Sequence, residues 1–172
     1  SRIPIPRLQT LIPALRGVGV PVVWVNWGNR DDQSNLPPSV QYSFNFWRLD
    51  KPQPFLTRGT ESVEVIEDLD PKESDLFVEK YRLSGFTDTP LDSILRGMGV
   101  NTLLFAGVNV DQCVFHTLAD AHFLGYDCVL LRDCAATSSP SYCVEATIYN
   151  TKLIGFVASS SDLLAALENT SG

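Results

Sequence analysis

The stretch "LLFAGVNVDQCVFHTLADAHFLGYDCVLLRDC", Leu103 to Cys134, carries the fold in miniature. A short apolar run leads into the polar hinge "NVDQ". A segment with Val114, Thr117, Leu118, Ala121 and Leu124 at helical spacing follows and stops at Gly125. A second apolar run, "DCVLLRD", comes next. Strand, helix, strand in this order, with both strands almost continuously apolar, is the signature of a βαβ unit in a parallel sheet.

The same reading extends outward. "PVVWVNW" (Pro21 to Trp27), "SDLFVEK" (Ser74 to Lys80), "NTLLFAGV" (Asn101 to Val108), "DCVLLRD" (Asp127 to Asp133) and "LIGFVAS" (Leu153 to Ser159) read as five buried strands. Helical patterns lie between them. Leu8, Leu11, Ile12 and Leu15 share one face, as do Leu91, Ile94 and Leu95. The whole chain, 1–172, reads as a single α/β domain, a three-layer α/β/α sandwich with a parallel sheet. One irregular region, 28–65, is rich in aromatics and prolines and reads as a lid or binding loop within that domain, or a subunit contact.

Composition excludes several classes. The net charge is -7, from 13 basic and 20 acidic residues, with no basic stripe for nucleic acid. No apolar run reaches membrane-spanning length, and "SRIPIPRLQT" lacks the apolar core of a signal peptide. The four cysteines show no CxxC pair and no zinc spacing, so reduced thiols in a cytoplasmic protein are expected, with no cofactor and no metal.

Cys113 follows the carboxyl end of a strand and opens the next helix, where α/β sheets bind ligands. There the helix dipole favours thiolate, and backbone N–H groups face a developing oxyanion. Lys80 closes another strand at the same edge. A lysine beside a cysteine favours the thiolate and can hand on a proton. His116, one turn past Cys113, reads as a packed helix residue more readily than as a base.

With these residues in place, the chain resembles the isochorismatase-like cysteine hydrolases, which include isochorismatases, nicotinamidases, N-carbamoylsarcosine amidase and ureidoacrylate amidohydrolases. The resemblance covers nearly the whole chain. It is most specific at Lys80, Ser84, Phe86, Thr89 and Leu91, and at Gly107, Val108, Cys113, Val114, Thr117, Asp120, Ala121, Gly125, Tyr126 and Asp133. It implies an Asp–Lys–Cys triad, thioester chemistry at Cys113, and a cis Val108–Asn109 peptide that turns the Asn109 N–H, beside that of Cys113, toward the oxyanion. It further implies a small-molecule substrate and a homo-oligomer.

Two departures shape the expectation. The family's aspartate lies at the end of a first strand, central in a six-strand order 3-2-1-4-5-6, and this sequence holds neither that strand nor that residue. An N-terminally incomplete sequence is therefore expected. A decayed member, in which Asp31, Asp32 or Asp111 stands in or activity is lost, is the competing reading. The nicotinamidase metal site needs histidines before the lysine, and the two histidines here are His116 and His122. The expected activity is metal-independent hydrolysis of a C–N bond in a small amide or ureido compound, with Asn26, Trp27 and Tyr42 as candidate substrate contacts. The alternatives are enol-ether hydrolysis by an isochorismatase, a non-catalytic small-molecule binding protein, and a thiol redox sensor.

Overall fold

The computed structural model describes residues 2–45 and 56–170. Ten residues of the expected lid, 46–55, lie outside them. The chain runs α1 (Ile5–Gly17), β1 (Val23–Trp27), α2 (Pro38–Asn45), β2 (Leu76–Lys80), α3 (Leu91–Gly97), β3 (Thr102–Val108), α4 (Phe115–Phe123), β4 (Asp127–Ala136), α5 (Ser141–Ile154), β5 (Phe156–Ala158) and α6 (Ser160–Thr170). All pairings are parallel, as the βαβ pattern requires.

The strands form two sheets, not one. β1 pairs with β2, and β3, β4 and β5 pair in that order. Among the described residues nothing pairs with the other edge of β1 or of β3. The division falls where the resemblance places a further central strand. The two sheets nevertheless share a core. Val23, Val25 and Val78 pack in one cluster with Leu103, Phe105, Leu118 and Leu130. A second cluster joins Leu8, Leu11, Ile12 and Leu15 of α1 to Trp24, Leu104 and Leu131 on the opposite side. The order is therefore helix, sheet, helix, with apolar side chains on both strand faces.

Polar clamps fix the layers. Asp75, just before β2, accepts bonds from Arg16 of α1 and from Trp24 Nε1 of β1 at 2.9 Å. Its carboxyl lies below the usual value because the Lys72 backbone N–H, at 2.9 Å, together with these donors outweighs its burial. Asp133 accepts from the backbone N–H and the hydroxyl of Ser160, at 2.8 and 2.7 Å, and pairs with Arg7. That clamp is possible because β4 bulges. Phe105 pairs with Leu130 but Gly107 pairs with Ala135, so extra residues of β4 loop out of the ladder.

Several expected boundaries change. Leu153 and Ile154 belong to α5, and β5 is reduced to three residues. Gly155 marks the switch, with extended backbone packed onto the Cys128 carbonyl. The region 28–65 holds α2, opened by Pro38, and a parallel bridge between Asn29 and Thr57, where only irregular chain was expected. A Cβ on Gly155 would lie 2.6 Å from the Cys128 oxygen, a backbone atom that cannot yield freely. Gly155→Ala should therefore destabilise the fold by about 1–3 kcal/mol, read as a lower urea midpoint with an unchanged slope.

Candidate active site

Lys80 and Cys113 reach one another across the division between the sheets. β2 delivers Lys80 at its carboxyl end, where the alternation Val78-in, Glu79-out, Lys80-in leaves the side chain 2% exposed. Its Nζ donates to the Arg82 carbonyl at 2.7 Å and meets Cys113 Sγ at 3.3 Å. The ammonium also lies over the Trp27 ring, 3.7 Å from its centroid. Trp27 stands beside Lys80 because the two are register partners in the β1–β2 ladder. Burial lowers the Lys80 pKa from its ordinary value, and the neighbouring Cys113 sulfur opposes that shift.

Cys113 does not open an α-helix, as its position in the sequence suggested. Residues Val110–Val114 form a π-helical turn, and α4 begins after it. The Asn109 carbonyl accepts from both Gln112 and Val114, so the turn is anchored on the residue after β3. The Val108–Asn109 peptide is cis. Single π turns inside helices frequently mark functional sites.

A hydroxyl ties the two catalytic candidates' surroundings together. Thr117 Oγ1 donates to the Cys113 carbonyl at 2.6 Å and accepts the Gly85 N–H at 2.9 Å. Gly85 has no room for a side chain: a Cβ there would meet Val25 at 2.8 Å and Thr117 at 3.2 Å. The Ser84–Phe86 turn after Lys80 is thereby seated against the helix after Cys113. Sequence reasoning counted Ser84 and Thr117 as pattern matches without this role. Thr117 stands one turn after Cys113, the spacing at which a hydroxyl reaches the i−4 carbonyl.

The other candidates are placed as follows. Asn26 faces away from Trp27 and donates to the Val63 carbonyl at 2.7 Å, so its side chain belongs to the wall behind β1. Strand alternation already separates Asn26 from Trp27. Tyr42 is exposed on α2. His116 has its Nδ1 against the Gln112 carbonyl at 2.8 Å. Asp31 and Asp32 line an open recess of about 310 Å³ with Asn29, Arg30, Thr57 and Arg58, and neither Lys80 nor Cys113 borders it. Asp32 is held by Arg30 and Ser34. The Asp111 carboxyl lies below its usual range because the nearby hydroxyls of Thr137 and Ser139, with other polar neighbours, outweigh its burial, and its buried Oδ1 has no hydrogen-bond partner among the described residues. Among the described residues no carboxylate pairs with Lys80.

The Isochorismatase domain model matches residues 2–162. The chain belongs to the isochorismatase family. A cysteine hydrolase from Pseudomonas syringae pv. phaseolicola superposes with a TM-score of 0.86 at 25% identity, covering 97% of this chain and 81% of that one. An isochorismatase-like hydrolase from Alkaliphilus metalliredigens gives 0.80 at 25% identity, covering 95% and 84%. N-carbamoylsarcosine amidase from Thermoplasma acidophilum gives 0.74 at 28% identity, covering 92% and 83%. The motif resemblance and the α/β fold class drawn from the sequence agree with these matches. The isochorismatase-family chain is a hydrolase.

The four cysteines are unbridged, and their surroundings separate them. Burial pushes the Cys128 and Cys134 thiols up to about 11. Iodoacetamide at neutral pH should therefore spare these two and modify Cys113, as peptide mass mapping will show. Lys80→Met removes the ammonium beside the sulfur and should slow Cys113 alkylation by about tenfold at pH 7. An unchanged rate would remove Lys80 from the site.

Proposed function

We propose that this isochorismatase-family protein is a metal-independent cysteine hydrolase that cleaves a C–N bond in a small amide or ureido compound. The 3.3 Å contact between the Lys80 ammonium and the Cys113 sulfur carries the reading. The Cys113 thiolate attacks the substrate carbonyl, forming a C–S bond and a tetrahedral oxyanion. The backbone N–H groups of Asn109 and Cys113 receive that oxyanion. The C–N bond then breaks, the amine departs with a proton handed on by the Lys80 ammonium, and water attacks the thioester, releasing the acid, the Cys113 thiolate and a proton that returns to Lys80. Lys80 steadies the negative charge on sulfur and oxygen, and the Trp27 face offers a flat apolar wall for a planar amide. The amide class is supported by the likeness to N-carbamoylsarcosine amidase.

Ammonia release from a panel of N-carbamoyl amino acids, ureido acids and simple amides tests the activity. Cys113→Ala should lower turnover by at least about a thousandfold, and intact mass should trap an acyl group on Cys113 in the parent. Turnover that survives the substitution within about tenfold overturns the assignment. The absence of a carboxylate beside Lys80 among the described residues favours a second reading, a small-molecule binding protein of the same fold. Unaltered ligand binding in Cys113→Ala, with no turnover in the parent, would establish it.

A further inference from the structure

Arg82 follows Lys80 by two residues, and its main chain and side chain serve different partners. The carbonyl accepts from the Lys80 ammonium at 2.7 Å, closer than the 3.3 Å between that ammonium and Cys113 Sγ. The guanidinium reaches three other places. Nη1 donates to the Asn35 carbonyl at 2.8 Å and to the Tyr81 carbonyl at 2.9 Å, and Nη2 pairs with the Asp88 carboxylate at 3.3 Å. The Arg82 side chain is 29% exposed, so these contacts form largely away from water, where each is stronger than on an open surface.

A guanidinium carries five N–H donors in a rigid fork and can hold acceptors on several sides at once. Here the acceptors come from separate stretches of chain. Asn35 closes the loop that leaves β1, where its Oδ1 accepts the Arg30 N–H at 3.1 Å. Tyr81 adjoins Lys80, and its hydroxyl donates to the Asp88 carbonyl at 2.9 Å. Asp88, shortly before α3, has φ of +59°, a region that aspartate enters more readily than most residues. Tyr81 thus holds the Asp88 carbonyl while Arg82 holds its carboxylate. The turn 81–88 is closed on itself, and the same guanidinium pins it to the loop after β1.

We infer that Arg82 is a positioning residue: its guanidinium fixes the turn whose carbonyl keeps the Lys80 ammonium on the Cys113 sulfur. The lysine stem is flexible and does not hold that place by itself. With the guanidinium gone the turn loosens, the carbonyl drifts, and the ammonium spends less of its time against the sulfur. For turnover the inference rests on the hydrolase reading. The test is therefore made on the thiol, which reacts with an alkylating agent whether or not the chain is a hydrolase.

The measurement is the rate of Cys113 modification by iodoacetamide at pH 7, followed by peptide mass mapping, in the parent, Arg82→Ala, Lys80→Met and the double variant. Arg82→Ala should slow the reaction by about fivefold. The double variant should react at the rate of Lys80→Met alone, because Arg82 acts through the ammonium. General loss of packing, or of a nearby positive charge, would instead slow the thiol by the same factor with and without Lys80. Arg82→Lys keeps the charge but not the fork and should be slower than the parent by about threefold. It serves in the same cycle if circular dichroism shows Arg82→Ala unfolded. A parent-like rate in Arg82→Ala or Arg82→Lys, or equal slowing in both Lys80 backgrounds, overturns the inference. A parent that shows the coupling yet hydrolyses no amide upholds the inference and removes the hydrolase reading alone.

Discussion

A buried ammonium facing a sulfur is the constraint around which this molecule is organised. An unpaired lysine in an apolar setting is costly, and Lys80 is all but inaccessible to water. Its compensation is local: the Arg82 carbonyl, the face of Trp27 and the Cys113 sulfur. Two of these partners lie on the β1–β2 side of the molecule and the third follows β3. The contact holds only if the two sheets keep their spacing. The shared core of Val25, Val78, Phe105 and Leu118 supplies that spacing, and Thr117 with Gly85 sets it locally.

The divided sheet sharpens the point. Parallel sheets normally derive cohesion from continuous ladders, yet here β1 and β3 are joined by side-chain packing and by the turn after Lys80. The outer layers are tied by carboxylates. Asp75 fastens α1 to the β1–β2 sheet, and Asp133 fastens α6 and α1 to β4. The bulge that frees Asp133 from the ladder also shifts the register near Gly107, just before the cis peptide and the π turn.

Much of this was legible in the sequence. Continuous apolar runs located the five strands of the described residues, and the positions of Lys80 and Cys113 at strand ends anticipated that the two meet. The parts that were not legible have physical reasons. Leu153 and Ile154 are apolar and precede a short strand, but an apolar pair before a glycine fits a helix end equally well. The π turn at Val110–Val114 depends on which carbonyl each N–H reaches, and "NVDQ" carries no sign of that choice. α2 has only eight residues and begins at the second of two prolines, so its period was hidden. Asn26 is a different matter, since strand alternation alone sets it on the face opposite Trp27.

The stacking of the Lys80 ammonium on Trp27 has an optical consequence. A cation held against an indole ring perturbs its excited state, and Trp27 is one of three tryptophans in the chain. Trp24, hydrogen-bonded to Asp75 on the opposite face of β1, is insulated from the site. Any event that moves the ammonium, neutralises it or slides a ligand between it and the ring changes the emission of Trp27. The chain thus carries its own fluorophore against the Lys80–Cys113 pair, and changes there can be followed in real time without a label.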